Sequence, residues 1–189
     1  MKYILFSILF FVFMTTQAQE KNELPYYELE EEATEYSAGR VASRMIDGLG
    51  FRYYWASEGL TEKDLAFKPN KEARTVLQTI DHILGLSQIT LNAVLNKVNK
   101  TLNVDMTFAE KRRKTLENFK KASDILRVAK DISQYKMILG NNEFPFWNVI
   151  NGPIADALWH TGQVVSFRRS SGNPFSKDVN VLTGKVKKQ

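Results

Sequence analysis

The chain has 189 residues, with 26 Lys and Arg against 21 Asp and Glu, a formal net charge of +5 and no cysteine. The missing cysteine excludes disulfides, thiolate metal sites, a cysteine nucleophile and a lipoprotein anchor, so the hydrophobic core alone must hold the fold. The charge balance is modest, and no aromatic platform accompanies the basic run KRRK at 111–114; that run reads as a solvated helix face and no nucleic-acid partner is expected.

Residues 1–18 have the layout of a secretory signal peptide: Lys2, an apolar run from Tyr3 to Met14, and a small-residue exit at Thr16-Gln17-Ala18. The run is shorter than the roughly 20 residues a transmembrane helix needs. The expectation is therefore cleavage after Ala18, a periplasmic or secreted product, and no stable membrane insertion; an uncleaved anchor is the alternative. Removing this leader takes Lys2 and no acid, lowering the charge from +5 to +4. The remaining 19–189 segment, about 170 residues, suits one domain with a sizeable core.

Four long segments carry helical periodicity, and none alternates convincingly as a strand. The first is expected over residues 27–57, on the stripe Ala38, Val41, Met45, Leu49 and Tyr53, with Gly48 and Gly50 allowing a bend. EGLTEKDLAFKPNKEART then reads as a connection. The second helix is expected over residues 75–99, built on Val76, Ile80, Ile83, Ile89, Leu91 and Leu95. His82 shares a stripe with Leu86, Ile89 and Ala93, which turns its imidazole inward. Helix three opens at Thr107, where Glu110 three residues on completes a capping box, and runs to about residue 129.

Residues 131–152 form a long aromatic-rich connection, a candidate lid. The fourth helix is expected to begin at Pro153, a residue suited to a first turn, and to stop at Gly172-Asn173-Pro174. The tail from Phe175 is too polar for a fifth core element and is expected along the surface. The whole reads as a single all-α bundle.

On the fourth helix Asp156, His160 and Gln163 stand at i, i+4 and i+7 and share one face with Val164 and Phe167. The chain has only two histidines, the other being the inward-facing His82. Two imidazoles and one carboxylate from two helices suit a divalent cation such as zinc, nickel, iron or manganese, with open positions for water and substrate. A buried Asp–His pair without metal fits the same spacing. Gln163 reads either as orienting a ligand or as bonding a neighbouring helix. Arg168 and Arg169 complement the helix dipole in the default reading and hold an anionic substrate in the other. Trp147 and Trp159 line a pocket under the 131–152 connection or are plain core, and Asp81 is expected in solvent.

ADALWHTGQVVSFRRSSGNP resembles the last-helix signature of the DinB/YfiT-like superfamily, in which a His-x-x-x-His pair is followed by Gly-Gln and a basic residue. TVLQTIDHILGLS resembles that family's second-helix motif, and LTEKDLAFKPNKEARTV the connection between its first two helices. The resemblance implies an up-down-down-up four-helix bundle with metal ligands His82, position 156 and His160. Asp156 departs from the usual histidine, which alters the metal preference or marks a member that has lost metal. Family members include thiol-dependent S-transferases, an oxoacid isomerase and hydrolases, so the resemblance implies small-molecule chemistry. Some members dimerise, which leaves a homodimer open, and export would separate this chain from cytoplasmic thiols. A non-enzymatic binding or structural bundle is the competing expectation.

Overall fold

Three local signals set the helix starts in the computed structural model, which describes residues 24–31, 34–102 and 105–187. Thr61, Thr75 and Thr107 each accept a backbone N–H three residues on, while Asp64, Gln78 and Glu110 reach back to the cap N–H, making three capping boxes. They open α2 (Glu62–Ala66), α3 (Val76–Val94) and α4 (Phe108–Arg127), whereas α1 (Ala38–Ser57) starts without a side-chain cap.

Helix α1 is shorter than its periodicity suggests. Residues 24–31 instead cross its surface through a turn at residues 25–26, because their backbone and side chains find partners there: Tyr26 donates to Asp47 Oδ1 at 3.1 Å and Trp55 Nε1 donates to the Tyr27 carbonyl at 3.1 Å. Gly48 and Gly50 do not break the helix. Gly50 is a contact point, since a Cβ there would collide with the Tyr26 ring. The buried stripe is Ala42, Ile46, Leu49 and Tyr53, while Val41 and Met45 face outward.

Helix α3 ends five residues early, at Val94, and Asn96 takes a left-handed φ of 50°. Val98–Asn99 then peels off as β1 and pairs in parallel with β2 (Lys136–Leu139). β2 turns through Gly140 and pairs antiparallel with β3 (Asn142–Pro145). The expected 131–152 loop is therefore a hairpin packed on α3, followed directly by the short helix α5 (Phe146–Val149). The expectation of no strands fails because strands of two to four residues are too short to display a two-residue period.

Pro153 stands just after a break in the helical run, where a first-turn proline is expected. The short helix α5 leads into a wide segment at Ile150–Ile154 that is interrupted at Gly152, whose φ −89° and ψ −105° are not helical, and α6 (Ala155–Ser171) follows. Proline offers no N–H for a bond back across that kink, and its fixed φ suits the turn that begins there; the next donor, Ala155 N–H, reaches the Ile150 and Gly152 carbonyls. Gly172 then closes α6 at φ 96°, its N–H on the Arg168 and Arg169 carbonyls.

The described residues are predominantly helical. Helix α1 packs against α4 and α6, and α3 packs against the same two, so the four long helices enclose one core of Ile46, Phe51, Ile80, Ile83, Leu116, Phe119 and Val164. The tail is more ordered than its polarity suggests. Its hairpin β4 (Val179–Asn180) and β5 (Lys185–Val186) is locked to the N-terminal segment by Leu29 N–H on the Gly184 carbonyl, 2.8 Å, and by Glu28 accepting from Val186 N–H. No helix among the described residues is long and apolar enough to cross a membrane. The expected signal peptide at 1–18 lies outside the described residues.

Candidate metal centre

Helix α6 presents Asp156 and His160 one turn apart, immediately after the kinked segment at Ile150–Ile154, and α3 presents His82 from the opposite side. The three expected ligands come together: one donor atom from each lies within 4.8 Å of the others, the one such group of acids and histidines among the described residues. The Asp156 carboxylate bridges the imidazoles, with Oδ2 3.1 Å from His82 Nε2 and Oδ1 3.4 Å from His160 Nε2. The two rings stand edge to face, with centroids 4.6 Å apart.

Those spacings suit a cation. Donors about 2.0–2.2 Å from one ion and 90–109° apart stand about 2.8–3.6 Å from each other, and both carboxylate–imidazole distances fall in that window, one through each carboxylate oxygen. Two imidazole nitrogens with one carboxylate form a donor set that zinc, iron, nickel and manganese accept. The site is not deeply buried: the side chains of His82 and Asp156 are 34 % and 37 % exposed and that of His160 14 %. The helix stripe turns His82 toward α6, but with a third of its side chain exposed the imidazole lies at the edge of the core and not inside it. Gln163, one turn beyond His160, places Oε1 2.7 Å from His160 Nδ1, so it orients the ring and does not bond a neighbouring helix.

The other singled-out residues fall elsewhere. Trp147 and Trp159 are 71 % and 72 % exposed, neither core nor sheltered beneath the hairpin. Arg168 is buried, and its guanidinium donates to the Trp55 and Ala56 carbonyls at 2.9 and 3.0 Å and to the Asn173 carbonyl at 2.6 Å. It therefore caps the C-terminal end of α1 as well as its own helix end, and is committed to structure. Burial lowers its basicity. Arg169 lies over the Phe175 ring at 5.7 Å.

Two of the four KRRK cations are not solvated. Lys111 is buried in an ion pair with Asp81 at 2.7 Å, which also places Asp81 in a contact between α3 and α4 and not in open solvent. Arg112 is buried between Glu58, the Ser57 hydroxyl at 3.0 Å and the face of Tyr54, 4.5 Å from the ring centre.

A second polar cluster has almost no signature in the sequence. Asp64 of α2 is buried and accepts from the Ser171 hydroxyl, from Asn173 Nδ2 at 2.7 Å and from Thr61 N–H at 2.9 Å. Burial opposes its ionisation, but these hydrogen bonds outweigh that and hold the carboxyl well below the usual carboxylate range. It pins α2 to the end of α6 and is structural. Its one sequence signal is the Thr61–Asp64 spacing of a capping box, which says nothing about Ser171 or Asn173.

No protein-family profile, curated protein or solved structure matches this chain.

Proposed function

We propose that this chain is an exported DinB/YfiT-like protein, an up-down-down-up four-helix bundle, that binds a divalent cation between α3 and α6 and uses it on a small molecule as a hydrolase or transferase. The observation that carries the reading is the convergence of His82, Asp156 and His160, with carboxylate–imidazole distances of 3.1 and 3.4 Å. His82 Nε2, an Asp156 oxygen and His160 Nε2 would hold the ion, and the half-open side of the group leaves room for water and substrate. When bound, such a cation supplies Lewis acidity, polarising a carbonyl or acidifying a water or thiol. The residues hold position and exclude alternatives: α3 and α6 fix the two rings edge to face, and Asp156 balances part of the ion's charge. Export, the expectation from residues 1–18, favours hydrolysis over transfer from a cytoplasmic thiol.

The second reading is a binding or structural bundle in which Asp156 pairs with both imidazoles and no metal enters; the same distances support it, since His82 Nε2–H can donate to Oδ2 at 3.1 Å. Elemental analysis by mass spectrometry of untagged protein beside an Asp156→Ala/His160→Ala variant separates the two. Near-stoichiometric metal in the parent and none in the variant is expected. No metal in either, even after incubation with zinc, nickel, manganese or anaerobic iron(II), sinks the metalloprotein reading.

A further inference from the structure

The ring nitrogens of the two histidines are not equivalent in their surroundings. The Nε2 atoms of both lie near Asp156, but among the described residues only His160 has its Nδ1 engaged, by Gln163 Oε1 at 2.7 Å. An amide oxygen can only accept a hydrogen bond, so a neutral His160 facing it carries its proton on Nδ1. Its Nε2 then holds a lone pair beside Asp156 Oδ1, 3.4 Å away, an acceptor next to an acceptor. The other carboxylate oxygen has no such conflict, because His82 is free to donate from Nε2.

We infer that Gln163 is a positioning residue that fixes His160 as the Nδ1–H tautomer and so keeps its Nε2 lone pair available for a cation; the cation half of this rests on the proposed metal centre, the tautomer half does not. The geometry is local. Gln163 follows His160 by three residues on α6, so the two side chains meet on one helix face. A neutral amide suits this role because it accepts from Nδ1 without adding charge to the site. An outer-shell partner of this kind is worth about 10- to 100-fold in metal affinity at other sites. The competing arrangement turns the amide over, so that its NH2 donates to Nδ1 and His160 Nε2–H donates to Asp156. That state relieves the contact between acceptors without metal and blocks ligation by His160.

The test needs only the two histidine rings, which keeps the spectrum simple. Long-range 1H–15N correlation on metal-free, 15N-labelled protein, at a pH where both rings are neutral, reads each tautomer directly, and a His82→Asn variant assigns them. Expected are a protonated Nδ1 and unprotonated Nε2 for His160, a shift to mixed or Nε2–H tautomer in Gln163→Leu, and retention of Nδ1–H in Gln163→Glu, whose carboxylate also accepts. Zinc affinity, measured against a competing chelator, should fall by about 10- to 100-fold in Gln163→Leu and recover in Gln163→Glu. An Nε2-protonated His160 in the parent overturns the inference whether or not the variants fold. So does a tautomer unmoved in a folded Gln163→Leu, or, where the parent binds zinc, a zinc affinity unmoved there. A tautomer that follows Gln163 in a parent that takes no zinc supports the positioning role and rejects the metal centre, so the two failures are distinguishable.

Discussion

At the scale of single residues, the polar groups inside this protein divide into those that hold the fold together and those that remain open to chemistry. Arg168, Lys111, Arg112 and Asp64 are buried with their partners in place, and removing any one leaves opposing groups unsatisfied at about 1–3 kcal/mol each. His82 and Asp156 are a third exposed, a poor arrangement for stability and a suitable one for a site. Asp64 permits a pH prediction with a definite sign. Its folded carboxyl lies below the roughly 3.9 of an unfolded aspartate. Its stabilising contribution is therefore present at neutral pH, begins to fade as pH drops below about 4, and is lost as pH falls through the folded value. Asp64→Asn should be less stable than the parent at pH 7 in urea titrations, with the gap closing in acid; a gap that stays constant to low pH would show that the carboxylate's charge is irrelevant.

Among elements, the interfaces of α1 and the kink before α6 matter most. Gly50 lets the Tyr26 ring lie directly on α1, and Tyr26 in turn reaches Asp47, which is also held by Arg127 of α4 at 2.7 Å. Gly50→Ala forces a Cβ into that ring and should cost about 1–3 kcal/mol by the usual overpacking penalty. The same substitution in a Tyr26→Ala background should cost much less, so strict additivity in a double-mutant cycle would contradict the contact. Before α6, a kink at Gly152 within Ile150–Ile154 separates a four-residue helix from the segment bearing Asp156 and His160. The kink sets the direction of everything after it relative to α5, so Gly152 and Pro153 contribute to where the two ligands face.

For the molecule as a whole, the ends of the described chain are tied to each other: Glu28 and Leu29 hold the β4–β5 hairpin while Tyr26 and Trp55 hold the N-terminal segment to α1. A cation held between α3 and α6 would add a further tie, between two helices that already pack together. Ligation only in the folded state stabilises by mass action, about 2.7 kcal/mol at a free ion concentration 100 times Kd. For a domain of this size that corresponds to a melting shift of roughly 5–11 °C at about 2–4 °C per kcal/mol. Zinc should therefore raise the Tm of the parent by several degrees, reversibly with chelator, and leave the Asp156→Ala/His160→Ala variant unchanged; equal shifts in both would assign the effect to another site.

Much of the helical framework is legible without coordinates. The helix start at Thr75, the capping box at Thr107, the stripe through Val76, Ile80 and Ile83, and the stop at Gly172 each follow from local rules of hydrogen bonding and periodicity, and local rules act within a turn or two of helix. The same is true of Asp156, His160 and Gln163 sharing a face. What lies beyond that range was decided by tertiary structure. The sequence of α1 is amphipathic in two phases, and only packing against α4 and α6 selected Ala42 and Ile46 over Val41 and Met45 for burial. β1 and β2 pair residues forty positions apart, Arg168 finds carbonyls on α1, and Lys111 and Arg112 find Asp81 and Glu58; no local pattern encodes such partners. The meeting of His82 with Asp156 belongs to the same class. Helical spacing determined which way each residue points along its own helix, and the packing of α3 against α6 brought the imidazole and the carboxylate to 3.1 Å, because only the folded chain sets distances between elements.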